Sequence, residues 1–147
     1  MSDYIFLFDL DSTISKKEIL PTVSERIGRQ KEMRDLTEAA MRGEIPFKRS
    51  FLSRVELLRE IDVSQVNSMV ADIPLNEEIT DFISRNKDRC FVLTGNLDVW
   101  ISGLMERIGL ENHVYCSKAN VRDDRITDII SVVDKELMSR QFVHPLV

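Results

Sequence analysis

The sequence predicts an α/β protein with a parallel sheet and a small helical region inserted after the first strand. Short apolar runs typical of buried strands occur at residues 4–8, 90–93 and 114–116. Strands that alternate with helices favour a parallel sheet covered on both faces. The helical stretch between the first two strands is too long to be a single crossover. We therefore interpret most of it as a cap beside the sheet.

The inserted region begins with three helical patterns. The first covers residues 16–28, where Pro21 fits only a first turn and Gly28 provides a stop. The second covers residues 30–41, and the third follows Pro46. The apolar face of the third recurs at helical spacing and consists of Phe47, Phe51, Val55 and Leu58.

Two short helices complete the path to the second strand. Ser64 and Asn76 are their expected N-caps. We assign residues 1–14 and 76–147 to an α/β core and residues 15–75 to the helical cap. A cap beside the carboxyl ends of the strands can exclude water from a site and select its substrates.

The remainder of the chain completes a βαβ unit and adds a hairpin. Apolar side chains recur at helical spacing over residues 97–108, and Gly109 ends that helix. Residues 119–130 predict a hairpin that turns at residues 123–124, although neither turn residue is glycine. A last helix is expected to start near Asp134.

Composition narrows the possible partners and the compartment. The chain has 147 residues, 43% hydrophobic and 31% charged, as expected of a globular protein with one core and a small insertion. Its net charge of −5 argues against nucleic acid as a partner. No apolar run is long enough to cross a membrane. Cys90 and Cys116 lie in apolar runs without metal-ligand spacing, so we expect buried, reduced thiols in a cytoplasmic protein.

Two aspartates end the first strand and are the strongest functional signal. Asp9 and Asp11 are two positions apart and can point to the same side, while Leu10 turns into the core. Such a pair suits a hard cation and a phosphate, and one carboxylate can act as a nucleophile. The alternative is that the pair only caps the next turn or helix. A calcium loop does not fit, because Ile14 and Leu20 stand where glycine and glutamate are required.

A second polar group follows the second strand. The Thr94 hydroxyl and the Gly95 amide are positioned to face a phosphate near a helix N-terminus. The alternative is an ordinary junction between strand and helix, with Asn96 as the N-cap. The presence of the aspartate pair favours the phosphate site.

Together these motifs resemble the haloacid dehalogenase superfamily of phosphotransferases. Residues 9–13 are similar to its first motif, and residues 94–96 are similar to its second. Lys135, after the hairpin, is similar to the third. Within the superfamily, Glu18 and Arg54 resemble cap residues of the phosphoserine phosphatases. The resemblance implies a Rossmann-like core with a helical cap, and a phosphomonoester hydrolase that acts on phosphoserine or a similar small amino-acid phosphate.

The resemblance also implies a role for each motif residue. Asp9 corresponds to the nucleophile that forms an aspartyl-phosphate, and Asp11 to the general acid and base. Mg²⁺ is held in the family by the Asp9 carboxylate and the Asp11 backbone carbonyl. Lys135 balances the charge between nucleophile and phosphate. Lys118 is a rival for this role, but it precedes the hairpin, whereas the family lysine follows it.

Glu18 and Arg54 suit a substrate that carries both an ammonium and a carboxylate group. They could instead form surface ion pairs, but neither has a charged residue four positions away on either side. Met41 and Phe47 either line the same pocket or pack in the core, and we favour packing for each. Gly95 and Asn96 complete the expected substrate-binding set.

The resemblance weakens after Lys135. Family members continue with a strand and an acidic loop that completes the Mg²⁺ site, and here only residues 142–147 resemble the entry to that strand. Asp128 and Asp134 do not suit the role of substitutes. We therefore expect either a truncated form of a longer enzyme or a second chain, identical or different, that covers the sheet edge. An impaired phosphate-binding or regulatory protein is the alternative function.

Overall fold

A computed structural model describes residues 4–134 as one four-stranded sheet with helices around it. The strands lie in the order β1-β2-β3-β4. They are β1 (Phe6–Asp9), β2 (Cys90–Leu97), β3 (Val114–Arg122) and β4 (Arg125–Ser131). The first three strands are parallel, and β4 is antiparallel to β3. The predicted α/β class with a parallel sheet is therefore confirmed, with an antiparallel strand added by the hairpin.

Six α-helices are present in the described part of the chain. They are α1 (Ile19–Arg26), α2 (Gln30–Met41), α3 (Phe47–Leu58), α4 (Val63–Ala71), α5 (Glu77–Arg85) and α6 (Asp98–Ile108). The bounds predicted for α2 and the start predicted for α3 are confirmed, as is the apolar face of α3. The expected helix near Asp134 lies outside the described residues apart from Asp134 itself.

Two helix starts differ from the prediction for physical reasons, whereas the predicted bounds of α5 after Asn76 are confirmed. The first helix begins at Ile19 rather than at residue 16, because the Asp11 carboxylate accepts a hydrogen bond from the Ile19 amide at 2.7 Å. Ser64 is not an N-cap, since α4 already begins at Val63. Asn76 stands at the N-cap position of α5, but its side-chain amide donates to the Thr13 carbonyl at 2.6 Å.

The hairpin prediction is confirmed at its turn. Asp123 and Asp124 have φ values of +53° and +60°, the left-handed conformation that both central residues of a type I′ turn require. Aspartate tolerates this region better than most residues do, which explains a tight turn without glycine. β2 is longer than predicted and continues to Leu97, with an irregular register after Leu93.

The core lies between the sheet and the helices that flank it. Trp100, Leu104 and Met105 of α6 are buried there. The predicted burial of Cys90 and Cys116 as free thiols is confirmed, and burial raises the pKa of Cys116 to about 11. Among residues 4–134, no helix is long and apolar enough to cross a bilayer.

Asn67 links α4 to α6 and so joins the inserted helices to the sheet region. Its amide donates to the Val99 carbonyl at 2.8 Å and to the Ser102 hydroxyl at 2.7 Å, and it accepts from the Gly103 amide at 3.2 Å. A Cβ atom at Gly103 would lie 2.6 Å from the Asn67 carbonyl oxygen, so glycine permits this close contact. The division into core and cap at residues 15 and 75 stays a prediction.

Leu104→Ala tests whether α6 supplies the core contact described above. Leu104 is 0% exposed, and we expect the variant to lower the free energy of unfolding by about 2–5 kcal/mol because it leaves a cavity. Glu106→Ala on the exposed side of α6 is the control and should change it by less than about 0.5 kcal/mol. Chemical denaturation measures both, and equal effects would contradict the packing described.

Candidate active site

Two predicted motifs meet at the carboxyl end of the parallel sheet. Asp9, the last residue of β1, pairs in register with Leu93 of β2. The three residues that follow Leu93 are Thr94, Gly95 and Asn96, so the second motif lies beside the first. Ligands bind at this edge of parallel α/β sheets. The sheet topology therefore joins two segments that are distant in the sequence.

The loop after β1 is held in a wide turn. Its chain passes through Ser12 at φ +60°, and the Ser15 amide donates to the Leu10 carbonyl at 3.1 Å. The buried Ser15 hydroxyl accepts from the Ser12 amide at 3.1 Å and lies 2.7 Å from the Lys17 carbonyl. This turn buries Leu10 and Ile14 while both aspartates line a cavity.

The Asp11 side chain has two roles, one in the fold and one in the cavity. One carboxylate oxygen accepts a hydrogen bond from the Ile19 amide at the start of α1. This contact agrees with the alternative prediction that the aspartate pair caps the next helix. The same residue also lines the cavity with Asp9. The capping contact fixes the side chain beside a helix N-terminus, where a negative charge is stabilised.

The cavity measures about 340 Å³ and lies between the sheet edge and the inserted helices. It is lined by eight of the residues predicted for the site. They are Asp9, Asp11, Glu18, Met41, Phe47, Arg54, Gly95 and Asn96. Lys135 lies outside the described residues, and its rival Lys118 is exposed on β3 and does not line the cavity.

Thr94 is placed differently from the residues around it. It is 1% exposed and does not line the cavity. Its hydroxyl accepts from the Asn96 amide at 3.1 Å, which fixes the turn of the chain after Leu93. Asn96 is not the N-cap of α6, because that position belongs to Leu97, whose amide donates to the Asn96 side chain at 3.2 Å.

Arg54 is a buried cation in the wall of the cavity. It is only 9% exposed, and its guanidinium carbon lies 5.7 Å from the ring centroids of both Phe47 and Phe51. Burial lowers the pKa of Arg54, while the charges of Asp11 and Glu18 oppose that shift. Within residues 4–134, no carboxylate forms an ion pair with it. A buried guanidinium without an ion-paired carboxylate favours an anionic ligand.

Glu18 lies on the solvent side of the same cavity. Its carboxylate accepts from the Ser12 hydroxyl at 3.5 Å, and in the described part of the chain it belongs to no ion pair. The alternative prediction of surface ion pairs therefore has no support for Glu18 or for Arg54. An acidic and a basic group thus face one cavity with the aspartate pair.

Phe47 closes the cavity against the sheet. A Cβ atom on Gly95 would lie 2.5 Å from the Phe47 ring, so glycine is what allows this contact. The ring also stacks on Phe51 at 5.9 Å. The prediction that Met41 packs in the core is wrong, because its side chain is 77% exposed and lies on the cavity rim. Phe47 packs against the core and lines the cavity at once.

Sequence reasoning missed several residues of the cavity wall. They are Leu20, Pro21, Thr37, Ala40 and Phe51. Thr37, Ala40 and Met41 lie on one face of α2 at helical spacing, and this pattern could have indicated the wall. The two residues of α1 give no comparable signal. Val133 also reaches this region, since its carbonyl oxygen is 3.3 Å from the Cβ position of Gly95.

The oxygen atoms at the end of β1 suit a hard cation. Asp9 and Asp11 are the acidic side chains at the end of β1, and residues 4–134 contain no group of three metal-ligating side chains. Mg²⁺ is commonly bound by one or two carboxylates together with water and phosphate oxygens. The Asp9 carboxylate, together with the backbone carbonyl oxygen of Asp11, therefore fits Mg²⁺. Asp128 and Asp134 do not line the cavity.

Comparison with known proteins identifies the class. Residues 6–141 match the haloacid dehalogenase-like hydrolase family, and the chain belongs to it. It is 28% identical to a phosphoserine phosphatase of Methanocaldococcus jannaschii over 136 residues, which cover 90% of this chain and 64% of the relative. It is 29% identical to a phosphoserine phosphatase of Archaeoglobus fulgidus over 126 residues, which cover 84% of this chain and 36% of the relative.

A solved structure agrees with these sequence relatives. A phospho-aspartyl intermediate analogue of a phosphoserine phosphatase superposes with a TM-score of 0.79 at 25% identity, covering 99% of this chain and 71% of that one. The chain spans less than two thirds of the length of the two sequence relatives described above.

Gly95→Ala tests the contact between the sheet edge and α3. The new methyl group would overlap the Phe47 ring, and we expect a loss of about 1–3 kcal/mol in the free energy of unfolding. In a Phe47→Ala background the overlap is gone, so the same substitution should cost less than half as much. A double-mutant cycle by chemical denaturation measures this coupling. Additive effects would show that the two residues do not touch.

Proposed function

We propose that this chain hydrolyses a phosphomonoester through an aspartyl-phosphate intermediate, and that its substrate is phosphoserine. The observation that supports it most is one small cavity that joins the Asp9 and Asp11 pair to a buried Arg54. The carboxylates suit phosphoryl transfer, and the cation suits a substrate carboxylate. Both relatives described above are named phosphoserine phosphatase, which supports this activity.

The proposed reaction has two steps at phosphorus. An oxygen of Asp9 bonds to phosphorus while the bond to the seryl oxygen breaks, and Asp11 gives its proton to that oxygen. Asp11 then removes a proton from water, whose oxygen bonds to phosphorus as the acyl-phosphate bond breaks. Asp9 is thereby regenerated and inorganic phosphate leaves. The anchoring of Asp11 by the Ile19 amide keeps the acid and base at a fixed place.

Charge must be balanced when an anionic nucleophile meets an anionic phosphate. Mg²⁺ bound by the Asp9 carboxylate and the Asp11 backbone carbonyl would supply that neutralisation when present. The Gly95 amide and Asn96 bind phosphate oxygens, and the Thr94 hydroxyl braces their turn. Lys135 provides a further positive charge in this proposal, which for that residue rests on the sequence alone.

The substrate end of the cavity selects an amino acid. Arg54 binds the carboxylate and Glu18 binds the ammonium, while Phe47 and Met41 enclose the short chain between them. A volume of about 340 Å³ suits a small metabolite. We propose no nucleic-acid or membrane partner.

The proposal also includes a partner chain and a cellular compartment. Among the described strands β1 pairs only with β2, and Ile5 beside it is 48% exposed. A second chain, identical or different, is our proposal for a partner at this edge. The cytoplasm is the proposed compartment, because Cys90 and Cys116 are free thiols.

Asp9→Asn tests the nucleophile. We expect phosphate release from phosphoserine with Mg²⁺ to fall by on the order of 10³-fold or more, since an amide cannot form the acyl-phosphate. Asp72→Asn, on the surface outside the cavity, is the control and should retain activity. Phosphate release measured at high enzyme concentration decides the matter. A wild-type protein that releases none would refute the proposed activity.

Arg54→Met and Glu18→Gln test the substrate with two truncated analogues. Phosphoethanolamine lacks the carboxylate of phosphoserine, and 3-phosphoglycerate has a hydroxyl in place of its ammonium. We expect Arg54→Met to lower kcat/KM for phosphoserine by about 100-fold and to leave that for phosphoethanolamine within about threefold. We expect Glu18→Gln likewise to lower kcat/KM for phosphoserine and to leave that for 3-phosphoglycerate within about threefold, because 3-phosphoglycerate has no ammonium group to lose.

Arg49→Met is the matched control, because Arg49 is an exposed arginine on the same helix outside this cavity. Arg54 has no ion-pair partner in residues 4–134, so its replacement by methionine should leave the fold intact. An Arg54→Met protein with full activity on phosphoserine would favour a sugar or nucleotide phosphate as substrate.

An impaired phosphate-binding or regulatory protein is the second candidate function. The observation that favours it is the small number of metal ligands in residues 4–134, because a Mg²⁺ site with few protein ligands binds the ion more weakly. Calorimetric titration with phosphoserine in excess Mg²⁺ separates the two functions. Saturable binding without phosphate release indicates the binding protein, and release indicates the enzyme.

A further inference from the structure

The tip of the β3–β4 hairpin contacts the connection between α3 and α4. The contacts join residues 59–64 to residues 124–127, and we call this set the hairpin latch. Two of them come from Arg59, directly after α3, whose guanidinium donates to the Thr127 carbonyl at 2.6 Å and to the Ile126 carbonyl at 3.3 Å. The latch therefore holds the end of α3 against the sheet region.

The same tip caps the start of α4. The Asp124 carbonyl accepts from the Val63 amide at 2.8 Å, and its carboxylate accepts from the Ser64 amide at 2.9 Å and from the Ser64 hydroxyl. These hydrogen bonds from Ser64 lower the pKa of Asp124 below its ordinary value. A residue remote in the sequence thus performs the capping that a local residue usually performs.

Asp62, the residue at the N-cap position of α4, makes a different contact. Its side chain forms no capping hydrogen bond and instead pairs with Arg125 at 2.9 Å. The Arg125 guanidinium also donates to the Glu60 carbonyl. Each exposed contact is weak alone, but together they connect both sides of the corner between α3 and α4.

The latch is connected to the cavity by α3. This helix carries Phe47 and Arg54, and Arg54 lies about one and a half turns before the latched residue Arg59. Phe47, at the other end of the helix, touches Gly95. The position of α3 over the two aspartates is therefore fixed at one end by a ring contact and at the other end by the latch.

We propose that Asp124 is a positioning residue: by binding Val63 and Ser64 it fixes the α3–α4 connection that begins at Arg59, and the latch thereby keeps α3, with Phe47 and Arg54, over the aspartates. The effect on substrate affinity rests on the proposed function, whereas the effect on α3 does not. When α3 is held less firmly, a smaller fraction of molecules is competent to bind, and the apparent affinity falls by that fraction. Saturating substrate restores the closed arrangement, so the chemical step is unaffected.

Asp124→Gly and Asp123→Gly form the matched pair for the test. Both residues have left-handed backbone conformations in the same turn, so glycine relieves the same strain in each. We expect Asp124→Gly to raise KM for phosphoserine by roughly fivefold with kcat within about twofold of wild type. Asp123→Gly should change neither constant. Asp124→Asn keeps an acceptor for the Ser64 amide and should recover most of the affinity.

Amide hydrogen exchange of residues 47–58 in the ligand-free protein is the readout that needs no activity. Exchange should be faster in Asp124→Gly than in Asp123→Gly. Equal exchange in the two variants overturns the proposal, and so does an unchanged KM in Asp124→Gly when its exchange is faster. If wild-type protein does not hydrolyse phosphoserine, the proposed function fails, and the exchange comparison alone decides whether Asp124 holds α3.

Discussion

The parallel pairing of β1 with β2 determines where the candidate site forms. Parallel strands have their carboxyl ends at the same edge, so this pairing places Asp9 next to the segment that begins at Thr94. The apolar residues of both strands stabilise the pairing by burial in the sheet. The chemistry of the site is thus a consequence of strand order rather than of contacts between neighbours in the sequence.

The second organising feature is a positive charge kept out of water. Arg54 lies beside two phenylalanine rings in the wall of the cavity, where desolvation disfavours its charged form. The nearby charges of Asp11 and Glu18 offset part of this cost at a distance. An anionic group on a ligand would offset more, and this gives the cavity a preference for a substrate with an acidic end. The same helix also carries Phe47, which closes the cavity over Gly95.

Local patterns in the sequence predicted the elements whose stability is local. The bounds of α2, the start of α3 and the hairpin turn at residues 123–124 follow from helical spacing, from Pro46 and from turn propensity. The family resemblance predicts that Asp9 and Arg54 share one cavity, and both residues line it. The start of α1 was not predictable from its neighbours, because the Asp11 carboxylate several residues earlier determines it.

Contacts between distant residues explain the remaining differences. The N-terminus of α4 is capped by Asp124, which no local pattern around Ser64 indicates. Met41 was expected in the core because of its residue type, yet its place at the end of α2 leaves it on the cavity rim. Each of these errors arises where tertiary structure overrides local propensity.

In the proposed reaction, a carboxylate at the end of β1 carries the phosphoryl group. Acid quenching during turnover of phosphoserine, followed by borohydride reduction and peptide mass spectrometry, tests it most directly, because reduction converts an aspartyl-phosphate to homoserine. We expect homoserine at position 9, only when phosphoserine is supplied. Release of phosphate with unmodified Asp9, or with homoserine at another aspartate, would contradict it.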